Sequence, residues 1–243
     1  MILKRKIYKK LLEWKKECRG KKALLIEGAR RIGKSTICEE FGKSEYKSFL
    51  LIDFAKKDKE VEGYFEKYLN DLDTFFMLLQ THFGTKLTER NSLIIFDEVQ
   101  MFPQARAAIK YLVADGRYDY IETGSLISIR ENVKNIVIPS EERHINMYPL
   151  DFEEFAIALE EDLLVEYIKK CFEKREPLER SMHNQAMLLF HQYMLVGGMP
   201  MPVVTFIESK KDFTEADREK RDILKLYRED IMKIRSEERR VGK

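Results

Sequence analysis

Short apolar runs bounded by charged residues or glycine alternate with stretches in which apolar residues recur every three or four positions. Residues 23–27, 48–54, 93–96 and 120–123 are runs of the kind that form buried parallel strands. Residues 144–148 predict a fifth strand, and 136–138 also read as extended. Between the runs the spacing is helical. Ile7, Leu11 and Trp14 mark an amphipathic first helix with a basic outer face. Val61, Tyr64, Phe65, Tyr68, Leu69, Leu72, Phe76 and Leu79 hold helical spacing as far as Gly84, and their aromatics read as core. Pro103 opens a helix to about residue 114, closed by Asp115-Gly116. Strands alternating with helices predict an α/β fold, a parallel sheet with helices on both faces.

Past Pro149 the strand signal stops. Phe152, Phe155, Leu159, Leu163, Tyr167 and Cys171 trace one face of a long helix, and a second helix runs over about 180–196. Gly197-Gly198 ends it, with Pro200 and Pro202 expected to keep the following residues extended. Residues 212–236 form a charged helix in which Thr214 and Asp217 are spaced as a capping pair. The expected organisation is a basic amphipathic helix over 1–22, an α/β domain over 23–149 and a mainly helical unit over 150–243.

Composition changes this picture little. Of 243 residues, 44% are hydrophobic and 35% charged, as in a folded, well-solvated protein, and the net charge of +2 gives no bulk attraction to nucleic acid. The exception is the crowding of lysine and arginine between Lys4 and Lys22, opposed only by Glu13 and Glu17. Three scattered cysteines without metal-ligand spacing read as reduced thiols, so a cytoplasmic location is expected. No run approaches the roughly 18 apolar residues of a membrane span. The longest apolar candidate, 186–207, is broken by His191, Gln192, two glycines and two prolines.

The chemistry sits at two strand ends. After the first run comes Gly28-Ala29-Arg30-Arg31-Ile32-Gly33-Lys34-Ser35, which fits G-x-x-x-x-G-K-[ST], with Thr36 continuing into a helix. Glycines in such a P-loop let successive amides turn toward phosphate oxygens, and the following helix adds its positive end. Lys34 can reach the β- and γ-phosphates of ATP, while Ser35 can ligate Mg2+. By chance the pattern appears in about one random chain in a hundred. Arg30 and Arg31 read as solvent-facing loop charges ahead of direct phosphate ligands.

Asp97 and Glu98 arrive at the end of the 93–96 run, 63 positions after Lys34. Asp97 is placed to hold the hydration shell of Mg2+ as a Walker B aspartate does, and Glu98 to polarise the attacking water. The chain lacks the D-x-x-G and N-K-x-D patterns of small GTPases, and a strand intervenes between the two motifs. This fits the ATPase branch whose acidic strand is not the P-loop strand's neighbour. In that branch the fourth strand lies between the two, and Ser125, preferred over Thr123, could sense the γ-phosphate. A small turn residue is the competing reading. Arg143, before the fifth strand, could approach phosphates in cis or from a neighbouring subunit, although a surface arginine in a Glu-Glu-Arg-His run is the plainer reading.

The series G-A-R-R-I-G-K-S-T, L-I-I-F-D-E-V-Q, T-G-S, Y-P-L-D-F-E-E-F and V-G-G-M-P resembles the bacterial and archaeal AAA-type ATPases that carry a C-terminal domain of unknown function. The resemblance runs over about residues 8–231, and its last two motifs are the specific ones. It implies a P-loop NTPase with an AAA-like core, and ATP with Mg2+ at residues 28–36 and Asp97-Glu98. It carries the Walker roles onto Gly33, Lys34, Ser35, Asp97 and Glu98, a sensor role onto Ser125 and an arginine role onto Arg143. Residues 236–243 depart from the family, which is expected to continue further; the chain reads as truncated, with non-native final residues.

The function expected first is an ATP hydrolase whose nucleotide cycle moves the helical unit against the core. The alternative is a nucleotide-gated module with little hydrolysis that engages DNA or a protein through the basic helix. A ring or other oligomer is an expectation by analogy alone.

Overall fold

The computed structural model describes residues 1–125 and 140–241, with side chains described as far as 229 and at 231–232. Among these residues the chain divides into two compact units, Lys6–Tyr148 and a second made of Met1–Arg5 with Pro149–Lys243. The expected extension at 136–138 lies outside the described residues.

The first unit opens with α1 (Ile7–Cys18), whose Ile7, Leu11 and Trp14 are buried as their spacing predicts. It continues through β1 (Ala23–Glu27), α2 (Lys34–Glu45), β2 (Ser48–Asp53), α3 (Lys59–Tyr68), α4 (Leu72–Phe83), β3 (Ser92–Asp97), α5 (Pro103–Asp115), β4 (Asp119–Gly124) and β5 (Glu142–Asn146). Described strands pair in the order β2-β3-β4-β1-β5, all parallel. Side chains alternate across the sheet. Ile94, Phe96 and Tyr120 enter a core with Phe54, Phe65, Phe75, Phe76 and Phe102 from α3, α4 and their flanks. Phe65 meets Phe54, Phe75, Phe96 and Phe102 at centroid distances of 5.0–5.8 Å, mostly edge to face, an arrangement that adds to simple burial. On the opposite face α2 lies against β2, β3 and β4, and Phe41 of α2 packs with Tyr8 and Trp14 of α1.

Several expected boundaries move, each for a local reason. The periodic stretch from Val61 to Leu79 is two helices, because the Asp71 carboxylate accepts the Thr74 amide at 3.2 Å and starts α4 afresh. The fifth strand falls two residues earlier than 144–148, with Ala23 beside Glu142 and Glu27 beside Asn146.

One polar cluster is enclosed beside the sheet. Arg106 of α5 is buried and donates to both carboxylate oxygens of Glu142, at 3.0 and 2.8 Å, a bidentate pair. His144 approaches the same carboxylate at 3.1 Å. Glu122 of β4 is fully buried near Glu142, with no hydrogen bond of normal geometry to its carboxyl oxygens. Burial first, and then the like charge of Glu142, push Glu122 far above the usual carboxylate range, with Arg106 opposing.

The second unit consists of α6 (Phe152–Ala158), α7 (Asp162–Lys174), α8 (Arg180–Val196), α9 (Pro200–Glu208) and α10 (Phe213–Val241). Its core gathers Leu150, Phe155, Leu164, Val165, Leu189, Val196, Val203 and Phe206, with Leu3 packed against them. Arg5 binds Glu154 at 3.2 Å, and Asp151 and Glu154 form a reciprocal capping box.

Three expectations are corrected here. The single helix across 152–171 is broken by Glu160, which takes a left-handed φ of 65°. The break rotates the phase, so Leu163 is 81% exposed while Leu164 and Val165 turn inward. Pro200 and Pro202 do not hold an extended segment but open α9. In a first helical turn the amides have no intrahelical acceptor, so proline costs nothing there. The cap of α10 is Asp212, whose carboxylate accepts the Thr214 amide at 2.7 Å. Asp217 instead binds Arg221 and Lys220.

The two specific signature motifs meet in this unit. Leu150 donates its amide to Gly198 O at 2.7 Å, and the Tyr193 hydroxyl donates to Leu150 O at 2.9 Å. A β-carbon on Gly198 would stand 2.1 Å from Leu150 O. Gly198→Ala should therefore destabilise the helical unit by about 1–3 kcal/mol, read as an earlier denaturant midpoint. Glu122 supplies a second test. Its folded-state pKa lies above its unfolded one, so the folded chain holds the extra proton and loses stability as pH rises through and beyond the ordinary glutamate range. Melting curves between about pH 5 and pH 8 should fall less steeply for Glu122→Gln than for wild type.

Candidate nucleotide-binding site

All candidate groups but one gather at the C-terminal ends of β1, β3 and β4, where open parallel sheets bind ligands. β1 delivers its chain straight into the loop. A β-carbon at Gly28 would lie 2.4 Å from Met147 O and 2.5 Å from Ile32 Cδ1, so only glycine fits there. Ile32 is fully buried, anchoring the loop from below, while Ala29, Arg30, Arg31 and Thr36 face solvent. Gly33, at φ 89°, turns the backbone into α2, whose first bond runs from the Ile37 amide to Gly33 O at 3.0 Å. The exposed loop is thus followed by the amides and positive dipole end of a twelve-residue helix.

Lys34 is 5% exposed and folds back across the loop, donating to Gly28 O at 3.1 Å and Ala29 O at 2.9 Å. Burial draws its pKa below the usual lysine value, against the pull of Glu98 and Asp97. Ser35 donates toward Asp97, its hydroxyl 2.8 and 2.7 Å from the two carboxylate oxygens. Asp97 itself is almost entirely buried. The loop and the acidic strand end therefore form one site.

Glu98, half-buried, has a left-handed backbone with φ 55°, a conformation costly for a residue other than glycine and recurrent at functional sites. Its carboxylate accepts a short hydrogen bond from the Gln100 amide. Its own amide donates to Thr123 Oγ1 at 3.2 Å, and Thr123 in turn donates to Asp97 Oδ1. Thr123 is fully buried and Ser125, next beyond the end of β4, nearly so. Gln100 is the group that sequence reasoning missed, and Thr123, weighed there only as the second choice for a γ-phosphate sensor, contacts the acidic pair instead. The register of β3 against β4, Phe96 beside Glu122, brings Thr123 next to Asp97, and no linear motif encodes that neighbourhood.

Arg143 is the group that is not brought in. It pairs with Leu24 in the β1–β5 register, toward the opposite end of the strand from Gly28, and binds Glu17 of α1 at 2.5 Å. That position directs it to α1 and away from the loop of its own chain. The basic helix is also less free than its sequence implies. Lys15 lies over the Tyr46 ring at 3.8 Å and donates to Glu45 O, whereas Lys9, Lys10 and Lys16 are exposed.

The residues fit Mg2+ by donor chemistry. A hydroxyl and a carboxylate in contact are hard oxygen donors, and Mg2+ is commonly held by one or two carboxylates together with substrate phosphates. Among the described residues no group of three or more His, Cys, Asp or Glu side chains is placed to hold a metal ion. Among them too, no helix is long and apolar enough to cross a membrane.

The fold and this loop define a P-loop NTPase in which β4 separates the P-loop strand from the acidic strand. More particularly, the chain belongs to the AAA family: the model of the AAA domain matches residues 20–156, more than half of it. No curated protein matches the chain significantly. Similar solved structures include domain III of the replication initiation protein DnaA from Thermotoga maritima, at 14% identity and TM-score 0.44 over 86% of this chain and 87% of that one. PCH-2 of C. elegans is similar at 12% identity and TM-score 0.43 over 89% and 65%. The Orc1 protein of Aeropyrum pernix, solved in complex with DNA, is similar at 10% identity and TM-score 0.39 over 81% and 68%. Membership in the AAA family implies an ATPase-type domain that binds nucleotide.

Proposed function

We propose that this protein binds ATP with Mg2+ at the loop of residues 28–36 and hydrolyses it, using the cycle to drive a conformational change. The observation that carries this reading is the hydrogen bonding of Ser35 to both carboxylate oxygens of Asp97, 62 residues away.

The roles follow from the chemistry of the groups. The amides after Gly28 and at the start of α2 cradle the phosphates. Lys34 exchanges its two carbonyl partners for the β- and γ-phosphate oxygens, moving from one set of acceptors to a stronger one. Ser35 and Asp97 would hold Mg2+, which would supply positive charge to offset the negative charge that develops during phosphoryl transfer. Glu98 accepts the proton of the attacking water. Ser125, close to the end of β4, senses the γ-phosphate. An arginine contributed to the phosphates, if the chain assembles, comes from a neighbouring copy.

Phosphate release measured at steady state should be abolished by Lys34→Ala, which removes the phosphate-binding charge. Glu98→Gln should lower kcat by about a hundredfold or more while leaving ATP binding intact. Turnover at the wild-type rate in both variants would refute the mechanism.

A further inference from the structure

Thr123 has neither a charge nor a place in the P-loop, yet it touches both acidic residues at once. It sits on β4, between the P-loop strand and the acidic strand, beside Ile26 of β1 on one side. It is 0% exposed. A threonine hydroxyl has one proton to give and lone pairs to receive with. Here the proton goes to Asp97 Oδ1, and a lone pair takes the Glu98 amide at 3.2 Å.

Both ties have consequences for geometry. The bond to Oδ1 fixes the rotation of the Asp97 carboxylate about its last torsion, which is otherwise broad. Oδ1 then receives Thr123 as well as Ser35, whose hydroxyl stands 2.8 Å from Oδ1 and 2.7 Å from Oδ2. The bond from the amide of Glu98 holds that residue where its φ of 55° begins, and the Gln100 amide grips the other end of its side chain. Without the hydroxyl, Asp97 loses one donor and is held by Ser35 with less restraint, and the Glu98 amide loses its acceptor.

We propose that Thr123 is a positioning residue whose single hydroxyl sets the orientation of the metal-binding carboxylate and of the backbone that carries the water-activating one. The proposal rests on the ATPase reading above and adds to it the means by which β4 coordinates the two acidic groups.

The test compares Thr123→Val, which keeps the branched shape and removes the hydroxyl, with Thr123→Ser, which keeps the hydroxyl. ATP affinity is measured by calorimetry with Mg2+ and again with EDTA, alongside kcat and KM. For Thr123→Val the gain in affinity due to Mg2+ should shrink by about tenfold, the effect of one lost buried hydrogen bond on the carboxylate. Its kcat should fall by at least that factor, while affinity in EDTA stays at the wild-type value. Thr123→Ser should restore both within a few-fold. A Thr123→Val protein with the wild-type Mg2+ gain and kcat would overturn the proposal. So would one that loses affinity equally in Mg2+ and EDTA, since that marks general damage to the loop. A wild-type protein with no Mg2+ gain and no turnover would defeat the ATPase reading itself, and this proposal with it.

Discussion

One contact, from a serine hydroxyl shared between the two oxygens of an aspartate, holds the logic of this molecule together. Ser35 is placed by the loop that ends β1, and Asp97 by the tip of β3. Their contact requires β1 and β3 to end at the same level with one strand between them, which the parallel order β2-β3-β4-β1-β5 supplies. It also requires the loop to close tightly over Met147 and Ile32, which only glycine at position 28 permits. The aromatic cluster around Phe65 keeps β3 at its depth. The site is thus a consequence of sheet register rather than of any single motif.

Much of this was legible in the chain. β1 and the five-strand parallel architecture followed from apolar runs, and the P-loop followed from residues whose spacing has one mechanical meaning. The acidic pair was legible for the same reason, since consecutive Asp97 and Glu98 at the end of a buried run can only stand at a strand tip. Illegible features all depend on what lies across space. Thr123 ranks behind Ser125 as a hydroxyl near the phosphates, and its contact with both acidic residues emerges only when β4 is set beside β3. For Arg143 the sequence left a surface arginine and a phosphate-directed one side by side, and only the register beside Leu24 and the bond to Glu17 show where it stands. Helix breaks at Leu69–Asp71 and at Glu160 escaped periodicity because apolar spacing continues through them while capping and a left-handed residue reset the phase. Pro200 and Pro202 were misjudged because proline breaks a helix only from within.

Outside the nucleotide site, the molecule devotes its remaining specific residues to architecture. Gly198, Leu150 and Tyr193 lock the segment after Pro149 to the Gly197-Gly198 turn, so these residues carry packing. The enclosed group of Arg106, Glu142 and Glu122 plays a similar part beside the sheet. The Arg106–Glu142 pair ties α5 to β5, and burial beside it favours the uncharged form of Glu122.

The central claim is that Ser35 and Asp97 share one divalent ion with a bound triphosphate. Electron paramagnetic resonance of Mn2+ with ATP tests it directly. Adding wild-type protein should convert the spectrum of free Mn2+–ATP into a distinct bound form with phosphorus couplings, and Asp97→Asn should weaken that form. A spectrum unchanged by the protein, or a bound form indifferent to Asp97, would contradict the account.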